Sequence, residues 1–168
     1  MFTRPLITVS MAVLIAAGAA LLWASLERAA PAPAVSYTLL DGSTVRLDQL
    51  RGKVVLVNFW ATSCAPCLKE MPQLAATHEK FKARGFETLA VAMQYDRPEF
   101  VRHFAQSRQL PFGVTIDDQG TIAKGFGDVK LTPTTFVLNK RGEIVKRFVG
   151  EPDFDRLHAL IERLLKAG

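Results

Sequence analysis

The two cysteines of this chain are separated by only two residues, and they lie between a strand pattern and a helix pattern. Of the 168 residues, only Cys64 and Cys67 carry thiols. Residues 53–59 (KVVLVNF) form a nearly unbroken β-branched run, which is typical of a central strand buried on both faces. A helical stretch follows from Ala65 to about Arg84 and ends at Gly85, a residue type that commonly terminates helices. The Cys-Ala-Pro-Cys segment is therefore predicted to connect a buried strand to a helix N-terminus.

This position favours ionisation of the first cysteine. Cys64 falls at the predicted N-cap, where free backbone N–H groups and the positive end of the helix dipole stabilise a thiolate. A thiol in this setting has a pKa below the ordinary value of about 8.5. Cys67 lies one helical turn further along and can reach Cys64, so one thiol can attack a disulfide and the other can resolve the product. Pro66 fits the first turn, because the N–H that it lacks has no helical partner there.

Two other interpretations of the cysteine pair are open. Zinc would need two further ligands, and the histidines that could supply them, at positions 78, 103 and 158, are not paired at ligand spacing. A purely structural disulfide would close a very small loop and would constrain the unfolded chain little. The position of the pair between a strand and a helix favours redox chemistry over both interpretations.

Strand and helix patterns alternate along the rest of the chain. Val35–Leu40 and Thr44–Leu47 flank the turn signal Asp41-Gly42 and predict an N-terminal hairpin. The elements predicted downstream are a strand at Phe86–Met93, a helix with Asp96 as N-cap and Glu99 three residues later, a short strand at Phe112–Ile116, an antiparallel pair at Thr134–Leu138 and Glu143–Val149, and an amphipathic helix at Asp153–Ala167. This order predicts an α/β domain with a mixed central sheet flanked by helices.

The N-terminus carries an uncharged apolar run of 18 residues, Leu6–Trp23. As a helix it spans about 27 Å, close to the roughly 30 Å hydrocarbon core of a bilayer. Arg4 precedes the run, so the positive-inside rule predicts that the rest of the chain is exported. The run is longer than the usual apolar core of a signal peptide and favours a membrane anchor over a buried helix. Ala-Pro-Ala in residues 30–34 loosely resembles a cleavage site, which leaves a cleaved signal peptide as the alternative.

The predicted domain organisation follows from that segment. Residues 1–23 form the membrane anchor or signal segment, residues 24–34 (ASLERAAPAPA) form an extended Ala/Pro linker, and residues 35–168 form the globular domain. The net charge is +5, with Lys and Arg interleaved among Asp and Glu. No basic stripe with stacking aromatics is present, so nucleic acid is not an expected partner. We expect a monomer.

Two separate motifs carry a family resemblance. Residues 58–67 (NFWATSCAPC), followed by Glu70-Met71-Pro72, resemble the active-site segment of the TlpA/ResA-like family of exported thioredoxins. Residues 132–136 (TPTTF), followed by Gly142, are similar to the cis-proline strand and turn of that family. The resemblance covers roughly residues 35–168. It implies a thioredoxin-like fold with an additional N-terminal β-hairpin, which cytoplasmic thioredoxin lacks.

The resemblance also implies a role for each matching residue. Cys64 would be the attacking thiol and Cys67 the resolving thiol of a redox-active disulfide that needs no other cofactor and no metal. Pro133 would be a cis-proline that faces this disulfide, and the backbone of Thr132 would pair with a substrate strand. Trp60 would pack beside the site. The residues assigned to substrate binding are Thr132, Pro133, Trp60 and Pro66.

Glu70 is the carboxylate that the resemblance places in the mechanism. It follows Cys67 by three residues, so both lie on one helix face, and a nearby negative charge disfavours a thiolate. A solvent-facing Glu is the alternative. Asn58 stands where cytoplasmic thioredoxin has a buried Asp, so Glu70 or water would have to carry the proton. Ser63 stands where many family members have Trp, which removes an aromatic contact for the substrate.

The resemblance implies an extracytoplasmic thiol–disulfide oxidoreductase. It would reduce disulfides in exported proteins, such as cytochrome c precursors or copper-site proteins, with electrons from a membrane-embedded thiol donor. An oxidase or isomerase would use the same cysteines in the other direction, which depends on the reduction potential. A thiol peroxidase would usually rely on one cysteine with a nearby Thr and Arg. A copper metallochaperone would have cysteines spaced by three residues and a distal His, whereas this spacing is two and no His occupies the segment before Pro133.

Overall fold

The computed structural model describes residues 29–167 of the chain. The predicted membrane segment, residues 6–23, and the first residues of the predicted linker lie outside the described residues. Across positions 29 to 167, no helix is both long enough and apolar enough to cross a membrane. Pro31–Gly168 form one compact unit, which contains the described helices and every strand except the first residue of β1.

Eight strands and four helices follow one another in the described part of the chain. The strands are β1 (Ala30–Pro31), β2 (Ser36–Thr38), β3 (Thr44–Arg46), β4 (Val54–Trp60), β5 (Phe86–Ala92), β6 (Gly113–Ile116), β7 (Thr134–Leu138) and β8 (Glu143–Val149). The helices are α1 (Ala65–Phe81), α2 (Pro98–Ser107), α3 (Thr121–Gly125) and α4 (Phe154–Lys166). Short 3-10 turns lie at Leu47–Leu50 and Lys82–Arg84.

Six of these strands form one mixed sheet in the order β1-β8-β7-β4-β5-β6. Strands β4, β5 and β6 are parallel, whereas β7 runs antiparallel to β4 and to β8. Strands β2 and β3 pair separately as an antiparallel hairpin. The predicted α/β class, the mixed sheet and the additional N-terminal hairpin are all confirmed.

Strand β4 is buried along its whole length, because the sheet is covered on both faces. Successive side chains of a strand point to opposite faces. One face packs against α1, α2 and α4, and from β4 it receives Val54, Leu56 and Trp60. The other face packs against the hairpin and α3, and from β4 it receives Val55, Val57 and Phe59. By this alternation Asn58 points to the α1 side, where it is the polar member of an apolar row.

Helix α1 turns one stripe of side chains toward the sheet. The apolar members of this stripe recur at helical spacing and are Cys67, Met71, Leu74 and Phe81. Pro72 lies inside the helix, where its ring removes one backbone donor. The helical path ends at Gly85, whose φ of 90° is readily adopted only by glycine. The last residues of the predicted helix therefore form the 3-10 turn rather than a continuation of α1.

Two further predicted boundaries are wrong. Asp96 is not the N-cap of α2; Arg97 occupies that position, without a side-chain cap, and Pro98 begins the helix. The domain also begins before Val35, because β1 belongs to the main sheet and the N–H of Ala32 donates to the carbonyl of Gly142 over 2.9 Å. Residues 30–34 are thus part of the fold and not a free spacer.

One helix has no counterpart in the sequence prediction. Helix α3 is only five residues long, and its first turn is held by Asp117, whose two carboxylate oxygens accept the N–H groups of Ile122 and Ala123. By contrast, β7 and β8 have the predicted bounds, and the predicted helix Asp153–Ala167 is found as α4 with Asp153 as its N-cap, whose carboxylate accepts the N–H of Asp155 and Arg156.

Candidate active site

Cys64 and Cys67 form a disulfide at the N-terminus of α1, with their Cα atoms 5.2 Å apart. Cys64 is the N-cap residue, and its Sγ accepts the backbone N–H of Cys67 over 3.3 Å. Its side chain is half-buried, whereas Cys67 is fully buried. A sulfur atom of another molecule can therefore reach Cys64 but not Cys67, so the exposed sulfur suits attack and the buried sulfur suits resolution.

A short turn carries the chain from β4 to Cys64. The N–H of Cys64 donates to the carbonyl of Ala61 over 3.1 Å and closes this turn. Within it, Thr62 donates both its backbone N–H, over 2.5 Å, and its hydroxyl, over 2.6 Å, to the carboxylate of Asp96. Ser63 and Pro66, on either side of Cys64, are exposed. The surface around the reactive sulfur is thus formed by small, exposed side chains and is open to solvent.

The loop before β7 lies at the same end of the sheet. The Thr132–Pro133 peptide bond is cis, as the resemblance implies. The next residue, Thr134, pairs with Phe59 near the end of β4 that leads to Cys64. Among residues 29–167, no protein group hydrogen-bonds the backbone N–H or C=O of Thr132. An extended chain that approached Cys64 could therefore pair with the backbone of Thr132.

Exposed apolar side chains surround this loop. Within the described part of the chain, three of the four large exposed apolar residues belong to it or its neighbours: Tyr95 at 57%, Leu131 at 65% and Val149 at 58% exposed. The Tyr95 hydroxyl lies 3.3 Å from Oγ1 of Thr132. Val149 pairs with Thr134 across the sheet. We call Tyr95, Leu131 and Val149 the apolar rim.

Glu70 is buried behind the disulfide, so the solvent-facing alternative is excluded. Both Glu70 and Asn58 have no exposed surface. Asn58 Nδ2 donates to Oε1 of Glu70 over 2.8 Å and to the hydroxyl of Thr135 over 3.0 Å. Asn58 and Thr135 face each other on β4 and β7. Within the described residues, Oε2 of Glu70 and Oδ1 of Asn58 have no hydrogen-bond partner.

This environment changes the acidity of Glu70. Burial raises the pKa of Glu70 to about 7, the hydrogen bond from Asn58 acts in the opposite direction, and the negative charge of Glu151 adds to the increase. The carboxyl group therefore gains and loses its proton near neutral pH. A proton acceptor with this pKa, three residues beyond Cys67 on α1, is well matched to thiol chemistry.

Trp60 does not contact a substrate directly, and that part of the prediction is wrong. Its side chain has no exposed surface, because it belongs to the core between the sheet and the helices. Its ring lies 5.3 Å from that of Phe104 on α2. Trp60 thus supports the end of β4 from inside.

The histidines do not assemble with the cysteines. Nδ1 of His78 lies 3.2 Å from the hydroxyl of Thr88, Nε2 of His158 lies 2.8 Å from that of Thr77, and His103 is exposed on α2. In the part of the chain that the structure describes, no group of three or more His, Cys, Asp or Glu residues could hold a metal ion.

Sequence reasoning missed three contributors to the site. Asp96 was assigned to a helix cap because it precedes a proline and a glutamate, yet its carboxylate holds Thr62. Tyr95 belongs to no recognisable sequence motif. Its contact with Thr132 depends on how the loop after β5 meets the loop before β7. Thr135 lies in a predicted strand, but its position opposite Asn58 depends on the pairing of β4 with β7, which the sequence does not show.

The fold and the site define a thiol–disulfide oxidoreductase: a mixed sheet between helices presents one accessible and one buried sulfur at a helix N-terminus, beside a cis-proline loop. Comparison with known proteins agrees. The model of the Redoxin family matches residues 27–161. The thiol-disulfide oxidoreductase ResA of Bacillus cereus is 36% identical over 134 residues, which cover 79% of this chain and 76% of that protein.

Solved structures give the same fold. A Neisseria meningitidis protein described as a thioredoxin superposes with a TM-score of 0.77 at 39% identity, over 84% of this chain and 93% of that one. A thiol:disulfide interchange protein of the thioredoxin family from Chlorobium tepidum superposes with a TM-score of 0.75 at 25% identity, over 82% and 97%. The chain therefore belongs to the Redoxin family and, within it, to the TlpA/ResA-like thiol–disulfide oxidoreductases of thioredoxin fold.

Proposed function

We propose that this protein reduces disulfides in exported proteins on the extracytoplasmic side of a membrane, to which residues 6–23 anchor it. The observation that carries the proposal is the burial of Glu70 behind a disulfide whose Cys64 sulfur is accessible. The proposed substrates are proteins whose paired cysteines must be reduced before a haem or a copper ion can be attached, such as cytochrome c precursors or copper-site proteins.

The reaction proceeds by two exchanges. The Cys64 thiolate attacks a sulfur of the substrate disulfide; a mixed disulfide forms while the substrate S–S bond breaks, and the released substrate sulfur takes up a proton. The Cys67 thiol then passes its proton to the Glu70 carboxylate and attacks the sulfur of Cys64. The second substrate sulfur leaves and is protonated, so the substrate gains two electrons and two protons, and the Cys64–Cys67 disulfide remains.

The charge of Glu70 supports the reducing direction. The helix N-terminus alone would stabilise the Cys64 thiolate and so favour the dithiol form. A protein whose dithiol form is stabilised has a disulfide that readily accepts electrons, and it therefore acts as an oxidant. A buried carboxylate near the pair opposes that stabilisation, because like charges in a water-poor environment repel strongly. A less stable dithiol passes its electrons on more readily.

The apolar rim supports a protein substrate rather than a small one. Contiguous exposed apolar side chains commonly mark surfaces that bind a partner. Tyr95, Leu131 and Val149 lie around the unpaired backbone of Thr132, where a substrate strand could add main-chain hydrogen bonds. A polypeptide can occupy both features at once while its disulfide reaches Cys64.

After each cycle the dithiol must be regenerated by a reductant. For an exported enzyme the proposed electron source is a thiol carrier embedded in the membrane, which would attack the Cys64 sulfur and itself become a disulfide. The apolar run and Arg4 support the anchored location. A protein substrate and a membrane donor would both meet the enzyme at the same exposed sulfur.

The identity of the substrate is tested by a trapping variant. In cells that express Cys67→Ala, the mixed disulfide cannot be resolved, so Cys64 stays joined to its partner. Non-reducing separation and mass spectrometry then identify that partner, and Cys64→Ala/Cys67→Ala is the matched control. Trapped partners that are not exported, or that carry no haem or copper cysteines, would contradict the proposed substrate class.

Direction and location have their own measurements. Equilibration with glutathione should give a reduction potential below about −200 mV, whereas a value near −120 mV would assign the protein to the oxidases. Protease treatment of spheroplasts should digest the domain, and mass spectrometry of the mature chain should find residues 6–23 still attached. A chain that begins near residue 30 would replace the anchor with a cleaved signal peptide.

A further inference from the structure

We propose that Asp96 is a positioning residue for thiol–disulfide exchange, because its carboxylate fixes the turn that presents Cys64. The proposal concerns the exchange chemistry itself and does not depend on the direction of the reaction or on the substrate. Asp96 lies on the loop after β5, 8% exposed, far from Cys64 in sequence.

Every oxygen of this carboxylate is used. Oδ2 accepts the backbone N–H of Thr62, and Oδ1 accepts both the hydroxyl of Thr62 and the backbone N–H of Arg97. Hydrogen bonds to a charged acceptor are about twice as strong as neutral ones. Asp96 is also fixed to the loop, since its own N–H donates to the carbonyl of Met93 over 2.9 Å. We call the three bonds to the carboxylate the Asp96 clamp.

The clamp reaches Cys64 through the turn that Thr62 belongs to. Thr62 lies inside the turn that the N–H of Cys64 closes on Ala61. The loop that carries Asp96 is joined to β4 by a bond from the N–H of Met93 to the carbonyl of Trp60, over 3.0 Å. The clamp therefore ties the segment before Cys64 to the rigid ends of two neighbouring strands.

The clamp matters most when the disulfide is open. In the oxidised protein the S–S bond itself fixes Cys64 to the buried Cys67. In the dithiol that restraint is absent, and the hydrogen bonds of the turn decide where the attacking sulfur lies. Since nucleophilic attack is sensitive to displacements of about 1 Å, a loosened turn should slow attack by reduced Cys64 more than reduction of the oxidised protein.

The substitution Asp96→Asn tests the clamp without a change in shape. The carboxylate accepts two backbone N–H groups, one at each oxygen, so the amide –NH₂ of Asn must face one of these donors in either orientation. Asp117→Asn is the matched control, because Asp117 is also buried and also accepts one backbone N–H at each oxygen, but holds α3 instead. Both variants should lose similar stability toward urea.

The measured quantity is the rate at which the reduced protein attacks a small aromatic disulfide. We expect Asp96→Asn to lower the second-order rate constant on the order of tenfold. The reduction of its disulfide by dithiothreitol should change by less than about twofold, since the S–S bond restrains Cys64 there. Asp117→Asn should react at the wild-type rate. An Asp96→Asn protein that is folded and reacts at the wild-type rate, or an equal loss in Asp117→Asn, would overturn the proposal.

Substitution of Thr62 gives an independent test if Asp96→Asn folds poorly. Thr62→Val removes the hydroxyl donor but keeps the backbone bond, so it should slow attack by about threefold. Thr62→Ser restores the donor and should restore most of the rate. Equal rates for the Val and Ser variants would show that the hydroxyl plays no part in the clamp.

Discussion

The side-chain amide of Asn58 donates a 2.8 Å hydrogen bond to the carboxylate of Glu70, and both side chains are completely buried between the sheet and α1. The pair joins a titratable group, on the face of α1 that carries Cys67, to a donor on β4. Asn cannot titrate, so the proton chemistry falls to Glu70, whose pKa is raised by burial against the opposing effect of the Asn58 hydrogen bond. Because a buried carboxylate is costly when ionised, this pair couples the stability of the fold to pH.

The stability of the oxidised protein should fall as pH rises from about 4.5 to 7. The pKa of Glu70 is raised to about 7 in the folded protein, so the folded state keeps a proton there that the unfolded state has already lost. The loss is up to about 3 kcal/mol and is complete above pH 7. Glu70→Gln should remove it, as measured by urea unfolding at several pH values.

Burial lowers the pKa of His78 and of His158, and these groups change stability in the opposite direction. Their effect is shared by wild type and Glu70→Gln, so the difference between the two proteins isolates Glu70. A difference that does not vary between pH 4.5 and 7 would exclude the raised pKa.

The same substitution should make the thiols of the reduced protein more acidic. An ionised Glu70 near Cys67 disfavours a thiolate, and Gln has no charge. We expect the apparent pKa of the cysteine pair to fall by about one unit in Glu70→Gln. The ultraviolet absorbance of the thiolate as a function of pH measures this, and an unchanged titration would remove Glu70 from the mechanism.

Asn58→Leu should destabilise the protein more at pH 8 than at pH 5. At pH 8 Glu70 is ionised and loses its donor, which costs about 1–3 kcal/mol more than the loss at pH 5, where the group is protonated. Thr135→Val is the control, because it removes the other acceptor of Asn58 but leaves the bond to Glu70. Its loss of stability should be nearly the same at both pH values; equal losses for Asn58→Leu would contradict a specific effect on the carboxylate.

Local patterns account for most of the architecture that could be predicted. Residues adjacent in sequence determine several features: the β-branched run of β4, the turn before β8 and the start of α4 at Asp153. The cysteine pair lies where the strand pattern ends and the helix pattern begins. The cis bond at Pro133 was expected only from the family resemblance, because a sequence pattern does not show the isomer. Burial of Glu70 depends on which face of α1 meets the sheet, and the sequence left the solvent-facing alternative open.

The errors come from contacts between distant segments. Asp96 has the local sequence pattern of a helix N-cap. Thr62, however, donates two hydrogen bonds to the Asp96 carboxylate, and this tertiary contact overrides the preference of Asp96 for the cap position. Residues 30–34 were assigned to a linker from their composition, whereas an edge position beside β8 lets Ala-Pro repeats join a sheet. Trp60 was assigned to substrate binding from the family resemblance, although strand alternation points it into the core.

The last prediction separates binding of a protein substrate from the chemistry at Cys64. Leu131→Ser and Tyr95→Ser each remove part of the apolar rim without touching the disulfide, since both side chains are more than half exposed. Loss of one large apolar contact should lower kcat/KM toward a disulfide-bonded protein about tenfold, mainly through KM. The rate with a small aromatic disulfide should stay at the wild-type value in the same variants, because that molecule reaches Cys64 without covering the rim. Equal losses with both substrates would mean that the substitutions disturb the cis-proline loop, and unchanged rates with both would show that protein substrates bind elsewhere.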